Sequence, residues 1–238
     1  MASRAVFITG AAVRVGRQIA LTLAGKGYDI ALHYHRSEEA AEQTRQEIQA
    51  LGRRCELFAC DLRQVEAFDG LLAQVFEAFP ACDALVNNAS IFDRMPFLDT
   101  SETFFDAQFT LNFKAPFFLT QAFAKRQPDC SVVNIVDSAA AGHATGHMAY
   151  LLSKKALLAF TPMAARSLAP RGRVNAVLPG TVLPSEKDDP AHIEKLKNTL
   201  PAGRLATPEE LAEAVYQALE QTALNGQCLF IDGGGHLL

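Results

Sequence analysis

Short apolar runs rich in β-branched residues recur along the whole chain, and helical stretches separate them. There are seven such runs, at residues 5–9, 29–34, 55–60, 84–89, 131–136, 173–178 and 228–232. The segments between them, such as 15–27 and 37–52, carry apolar residues at helical spacing. Strands that alternate with helices pair in parallel, because each helix returns the chain to the same end of the sheet. The sequence therefore predicts an α/β protein, with a doubly wound parallel sheet and helices on both faces.

The size and charge of the chain narrow its class. Its 238 residues, 49% of them hydrophobic, suit one domain over residues 1–238 with an ample core. A net charge of −4 gives no reason to expect nucleic acid or an anionic membrane as a partner, and no apolar run approaches the ~20 residues of a membrane-spanning helix. The five cysteines include no CxxC pair, which favours neither a metal cluster nor a disulfide framework. We expect no metal and a cytoplasmic location.

One segment breaks the alternation of strands and helices. Residues 184–210 are polar and contain four prolines. Parallel sheets bind ligands beyond the carboxyl ends of their strands, and we expect this segment to lie above that edge as a substrate loop. Two interpretations are open: a lid over a pocket, or a solvated loop.

The turn after the first strand has the sequence TGAAVRVG, from Thr9 to Gly16. Gly10 allows a tight turn and Gly16 allows the following helix to pack closely on the strand. The helix N-terminus then offers unpaired N–H groups to a pyrophosphate. Arg14 stands where a second glycine is expected; it either binds a ligand or faces solvent at the start of the helix.

The ends of the second and third strands indicate which dinucleotide binds. An NAD enzyme places a carboxylate at the tip of the second strand, whereas this strand is followed by His35, Arg36 and Ser37. An arginine there favours the 2′-phosphate of NADPH, although Arg36 in a solvated loop is the alternative. The third strand ends at Asp61 and Leu62, where the carboxylate can meet an adenine edge, cap the next helix, or do both.

The sequence YLLSK places Tyr150 and Lys154 four residues apart, on one face of a helix. A phenol with a pKa near 10 is a poor acid or base at neutral pH, and we expect the neighbouring ammonium to lower that pKa. The pair is therefore a candidate for proton transfer.

These motifs together resemble the short-chain dehydrogenase/reductase family over nearly the whole chain. They are the glycine turn, NNAS at 87–90, the YxxxK pair and the Pro179–Gly180 dipeptide. The resemblance implies a Rossmann-type sheet of strand order 3-2-1-4-5-6-7, homotetramers, and an asparagine, Asn112, that holds a proton-relay water. The implied cofactor-binding residues are Gly10, Arg14, Val15, Gly16, His35, Arg36, Ser37, Asp61, Leu62, Asn88, Ala89, Ser90, Lys154 and Gly180.

The chain departs from the family pattern at Asp137. Most members have a serine at this position, 13 residues before the tyrosine, that binds a substrate carbonyl. A carboxylate would repel a developing alkoxide by ~4 kcal/mol at 4 Å for an effective dielectric constant of 20. A substrate that is reduced at a C=N bond and offers N–H donors suits an aspartate better.

Arg14 and Asp137 together resemble the pteridine reductase branch of that family. The resemblance implies a substrate-binding set of Arg14, Ser90, Phe92, Asp137 and Tyr150, and a catalytic set of Asp137, Tyr150 and Lys154. Phe92 would stack on a pterin, with a core or interface position as the alternative. NADPH would then reduce a dihydrobiopterin-like pterin or dihydrofolate; which of the two is open.

Two other functions stay open as alternatives. A ketoacyl-type carbonyl reductase has the same fold, and Asp137 argues against it. A non-catalytic NADP-sensing protein is possible too, but it would have no need of the Tyr150–Lys154 pair. We expect no metal between His143 and His147, because the glycines at 142 and 146 favour a loop there. His236 near the C-terminus is a candidate to line a neighbouring subunit's site.

Overall fold

The computed structural model describes residues 4–183 and 190–238. Seven parallel strands form one sheet in the order β3-β2-β1-β4-β5-β6-β7, which confirms the predicted fold class and strand order. The observed strand ends lie within two residues of the predicted ones. The strands are β1 Ala5–Ile8, β2 Asp29–Tyr34, β3 Cys55–Ala59, β4 Cys82–Asn87, β5 Ser131–Ile135, β6 Arg173–Pro179 and β7 Cys228–Ile231.

Helices connect the strands and cover both faces of the sheet. They are α1 Arg14–Gly25, α2 Glu38–Ala50, α3 Phe68–Ala78, α4 Glu102–Phe109, α5 Ala115–Arg126, α6 Met148–Leu168, α7 Pro190–Thr199 and α8 Pro208–Glu220. A π-helical turn, Thr110–Lys114, joins α4 to α5. In residues 4–183 and 190–238, no helix combines the length and the apolarity needed to cross a membrane.

The sheet has an apolar core on each face. Val6 and Ile8 of β1 pack on one face with Ile19 and Leu23 of α1, whereas Phe7 packs on the other face. Such strands are buried on both sides, and this explains why their sequences are continuously apolar rather than alternating. The two cores hold the strands rigidly, so the loops that leave their carboxyl ends start from fixed positions.

The prediction for residues 184–210 is wrong in part. Residues 190–199 form α7 and residues 208–210 begin α8, so the segment is not a continuous loop. Ile193, Leu196 and Leu200 repeat at helical spacing, and Leu200 is buried. Thr207 and Glu210 form a reciprocal capping box that starts α8. Residues 184–189 lie outside the described residues.

Candidate active site

Every predicted site residue lies on loops or helices at one edge of the sheet, formed by the carboxyl ends of the strands. The residues proposed for the cofactor follow β1, β2, β3, β4 and β6. Those proposed for the chemistry follow β4 and β5 and continue into α6. This edge is where parallel α/β sheets bind ligands.

The glycine turn after β1 approaches the β4 loop closely. Gly10 has a φ of +63°, and a side chain at Gly16 would collide with the Gly10 carbonyl oxygen. The Asn88 amide donates to the carbonyl oxygens of Thr9 (2.8 Å) and Gly10 (3.0 Å). The backbone N–H groups of Asn88 and Ala89 donate to the Thr9 hydroxyl at 2.9 and 3.0 Å. The turn is thus a backbone cradle at a helix N-terminus, and a pyrophosphate fits such a cradle.

Arg14 occupies a backbone conformation that favours glycine. Its φ is +52°, and among the described residues no other non-glycine residue has a positive φ. This conformation costs a non-glycine residue about 1–2 kcal/mol, which explains why a glycine is expected there. The exposed guanidinium donates to the Leu183 carbonyl oxygen at 3.0 Å, so it extends across the cleft towards the segment after β6. Val15 follows in α1 and packs against the core.

A buried histidine, which sequence analysis did not identify, supports the turn from below. His33 of β2 accepts a hydrogen bond at Nδ1 from the Gly10 N–H (3.0 Å). Its Nε2 lies 3.0 Å from the Cys60 carbonyl oxygen, so Nε2 carries the proton. Burial lowers the pKa of His33 to about 4. The sequence feature that could have identified His33 is its position as a polar residue inside the apolar run 29–34.

The ends of β2 and β3 lie side by side. His35, Arg36 and Ser37 are exposed after β2, and Leu62 is buried after β3. The Arg63 guanidinium contacts the Asp61 carboxylate at 2.6 Å and holds the pKa of that carboxyl at about 2. Asp61 also accepts from the Arg63 N–H (3.1 Å), so it caps the turn after β3 rather than the N-terminus of α3. Its contact with adenine stays a prediction.

The hydroxyl of Tyr150 donates to the Asp137 carboxylate at 2.8 Å, and Tyr150 is 7% exposed. Asp137 also accepts from the Ala139 N–H (2.8 Å), which holds its carboxylate in place. Burial and the charge of Asp137 raise the pKa of Tyr150 well above its ordinary value. The predicted lowering of that pKa by Lys154 is therefore wrong in this structure, because burial disfavours the phenolate and the carboxylate at the hydroxyl stabilises the protonated phenol.

Lys154 is buried one turn after Tyr150 in α6. Its ammonium donates to the Ile135 carbonyl oxygen (2.9 Å) and lies 5.9 Å from the centre of the Tyr150 ring. Burial lowers the pKa of Lys154 to about 8, against the attraction of Asp137. The arrangement thus places an acid, a carboxylate and a buried cation together.

Asn112 ties the β4 loop to the helices beneath it. Its Oδ1 accepts from the Ser90 hydroxyl and from the Ile91 N–H, both at 2.9 Å. Its Nδ2 donates to the Ile91 carbonyl oxygen at 3.0 Å. The side-chain amide therefore holds the loop that carries Ser90 and Phe92. The role of Asn112 in binding a relay water stays a prediction.

Phe92 is 49% exposed, so the core position considered for it is wrong. Its ring centre lies 4.7 Å from that of Tyr150 and 4.9 Å from that of His147, both at steep angles. The Arg94 guanidinium lies 5.7 Å from the same ring. Phe92 thus presents a half-exposed aromatic ring beside the ring of Tyr150, and a flat ligand can stack on such a ring.

The end of β6 approaches β7 so closely that a side chain at Gly180 would meet the Asp232 Cβ at 2.9 Å. His236 lies 3.0 Å from both carboxylate oxygens of the buried Asp232 and stacks on Phe230. His236 therefore pairs within its own chain. In the described part of the chain, no group of three or more metal-ligating side chains is found.

A family model described as enoyl-(acyl carrier protein) reductase matches residues 10–236. The chain is 33% identical to an L-rhamnose 1-dehydrogenase (NAD(P)(+)) of Sphingomonas sp. (strain SKA58). That match covers 97% of this chain and 95% of the dehydrogenase. The chain is 28% identical to the 3-oxoacyl-[acyl-carrier-protein] reductase FabG of Staphylococcus aureus, with 99% of both chains covered.

Solved structures give a second set of relatives. The FolM alternative dihydrofolate reductase 1 from Brucella suis, in complex with NADP, superposes with a TM-score of 0.92 at 33% identity. The match covers 98% of this chain and 95% of that one. The names of the rhamnose dehydrogenase and of the FolM structure include a nicotinamide cofactor, and the three names give different substrates.

Proposed function

The chain belongs to the short-chain dehydrogenase/reductase family of oxidoreductases, and from that premise we propose that it reduces a pterin with NADPH. Hydride would pass to a C=N bond of a dihydrobiopterin-like pterin or of dihydrofolate, giving the tetrahydro form. The observation that carries the proposal is the 2.8 Å hydrogen bond between Tyr150 and Asp137. It puts a carboxylate where a carbonyl reductase needs a neutral donor.

The cofactor residues are assigned from the geometry of the turns at the carboxyl edge of the sheet. The backbone cradle at Gly10 and Gly16 fits a pyrophosphate, and the exposed Arg36 after β2 suits a 2′-phosphate. The NADP complex of the structural relative supports this choice. Of the other predicted cofactor residues, Asn88, Ala89 and Ser90 follow β4 and Gly180 follows β6, along the same edge of the sheet.

The protein's own residues would supply the proton. When bound, NADPH provides the hydride that reaches the carbon of the C=N bond. The Tyr150 hydroxyl holds a proton against Asp137 and delivers it to the nitrogen as that atom gains charge. Lys154 compensates the negative charge left on the pair, and the pair then takes up a proton from solvent. Phe92 and Arg14 would orient the ring, on its face and its polar edge respectively.

The competing substrate is a ketone, as the names of the rhamnose dehydrogenase and FabG relatives suggest. Its reduction leaves an alkoxide, which Asp137 would repel. The experiment measures NADPH oxidation with dihydrobiopterin, dihydrofolate and an acetoacetyl thioester, and NADP⁺ reduction with L-rhamnose. Turnover of a pterin, faster with NADPH than with NADH, is expected. Turnover of the thioester or the sugar alone would contradict the proposal, and tight NADPH binding without turnover would favour the sensor.

We propose a homotetramer in the cytoplasm. Phe97 and Leu152 are 64% and 42% exposed and line one surface pocket together, and a contiguous exposed apolar surface supports a contact between subunits. All five cysteines are free thiols, which fits a reducing compartment. Light scattering on the purified protein should give the mass of four chains, and the mass of one chain would contradict the assembly.

A further inference from the structure

A glutamine lies fully buried under the loop that carries Ser90 and Phe92. Gln108 is in the last turn of α4 and is 0% exposed. Its Oε1 accepts a hydrogen bond from Asn112 Nδ2 at 3.2 Å. Within the described residues, its Nε2 is shielded from solvent and has no hydrogen-bond partner. The side chain thus makes one hydrogen bond to the protein and leaves a donor unpaired.

This arrangement is costly for the fold. An unpaired buried donor costs a protein the full desolvation penalty of that group, and an apolar side chain of similar shape brings no such donor. Gln108 is surrounded in sequence by a Phe-rich helix, so an apolar side chain suits the position locally. What Gln108 supplies and an apolar residue does not is the acceptor for Asn112.

Ser153 provides a third acceptor for the same amide group, after Gln108 and the Ile91 carbonyl oxygen, so three acceptors share its two N–H hydrogens. Asn112 Nδ2 lies 3.2 Å from the Ser153 hydroxyl oxygen. That hydroxyl donates in turn to the Tyr150 carbonyl oxygen at 2.6 Å. A chain of hydrogen bonds therefore runs from α6, which carries Tyr150, through Ser153 and Asn112 to the Ser90 hydroxyl and the Ile91 backbone.

Asn112 lies at the point where α4 widens into the π-helical turn. Such π-helical turns interrupt the regular α-helical hydrogen-bond pattern and are frequent at functional sites. Gln108 and Ser153 approach its Nδ2 from α4 and α6, while Ile91 approaches from the β4 loop. These three contacts fix the distance between the loop and the catalytic helix.

We propose that Gln108 is a positioning residue that, with Ser153, sets the Ser90–Phe92 loop relative to Tyr150 through Asn112. Gln108 touches neither of the proposed ligands and acts only through the amide of Asn112. The effect on substrate rests on the proposed function, because Phe92 is assigned there to the pterin. The effect on the loop does not.

The test is Gln108→Met, which keeps the length of the side chain and removes the acceptor. Hydrogen exchange of the Ile91 amide reports on the loop directly, because that N–H donates to Asn112. Its exchange should become about fivefold faster, as for the loss of one ordinary hydrogen bond. The melting temperature should stay the same or rise, because the unpaired donor is gone.

Kinetics then separate positioning from folding. The variant should lose about ten- to a hundredfold in kcat/KM for the pterin, the effect of a misplaced substrate contact. The Kd for NADPH should change less, because the cradle at Gly10 and Gly16 is not bonded to Gln108. Ser153→Ala should act in the same direction, and the double variant should show less than the sum of the two effects.

Thr161→Val is the matched control. Thr161 is also fully buried and bonds a side-chain amide, that of Asn134, away from the loop. It should leave the Ile91 exchange rate unchanged.

Unchanged Ile91 exchange in Gln108→Met would overturn the inference even if pterins are substrates. The inference would also be overturned if the melting temperature fell and the NADPH affinity fell as much as kcat/KM, because Gln108 would then have a general structural role. If no pterin is reduced but the exchange rate rises, the proposed function fails and the positioning role stands.

Discussion

Replacement of Asp137 should lower the reduction of pterins and raise the reduction of ketones such as an acetoacetyl thioester. Asp137→Asn keeps the shape of the side chain and an oxygen that can accept from the Ala139 N–H, and it removes the charge. Asp137→Ser restores the residue expected in most family members. In both variants the pKa of Tyr150 should fall from its raised value, because the charge and the hydrogen bond of Asp137 help to raise it.

The magnitudes follow from the position of the carboxylate at the reacting end of the site. Its oxygen is 2.8 Å from the Tyr150 hydroxyl, so a new alkoxide bound to that hydroxyl would lie about 4 Å away and be repelled by ~4 kcal/mol. Removal of that repulsion should raise thioester reduction by up to about a thousandfold. Loss of the proton-holding pair should lower pterin reduction by about 10²–10³-fold, the usual contribution of an acid or base.

The assay is kcat/KM for dihydrobiopterin and for an acetoacetyl thioester, each with saturating NADPH. Asp129→Asn is the control, because Asp129 precedes β5 at the opposite edge and forms an exposed ion pair with Arg171. It should change neither value. Full pterin turnover in Asp137→Asn and in Asp137→Ala would refute the assignment of Asp137 to the reaction.

Three further predictions follow from other contacts. Arg36→Ala should raise the KM for NADPH by about tenfold or more and leave that for NADH unchanged, as a lost charge-assisted bond requires; equal effects on both cofactors would contradict a 2′-phosphate contact. Arg14→Gly should relieve about 1 kcal/mol of backbone strain and raise the melting temperature, while the KM for the pterin increases; a pterin KM like that of the wild type would place Arg14 outside the substrate site. Burial lowers the pKa of His33 from 6.5 to about 4, so the unfolded chain binds more protons between these values. Stability should therefore fall by about 3 kcal/mol as the pH falls from 6.5 to 4, as measured by urea unfolding, whereas His33→Gln should lack this dependence.

The fold follows from the sequence because the strands are buried on both faces. The run Ala5–Ile8 is apolar throughout, and Ser131–Ile135 is buried at every position although it includes Asn134. Runs of this kind fix the type and the number of the strands. Their parallel direction follows from the alternation with helices, and their order in the sheet came from the family resemblance. The helix at 190–199 was missed because its polar, proline-flanked sequence outweighed the spacing of Ile193, Leu196 and Leu200.

The sequence predicted which residues form the site better than it predicted their pKa shifts. Tyr150 and Lys154 are four residues apart on a helix, so their proximity follows from local geometry. The pKa of Tyr150 is raised first by burial and then by the Asp137 carboxylate, and both depend on tertiary packing that the spacing of the two residues does not show. His33 and Gln108 were missed for a related reason: each is a polar residue in an apolar segment, and only tertiary contacts show what it holds.

The transfer of deuterium from C4-deuterated NADPH to dihydrobiopterin tests the central claim most directly. Mass spectrometry and NMR of the product locate the label. The account predicts one deuterium on the carbon of the former C=N bond, with none on the nitrogen, whose proton would come from the Tyr150–Asp137 pair. An unlabelled pterin, together with deuterium on the carbinol carbon of a reduced acetoacetyl thioester, would contradict it.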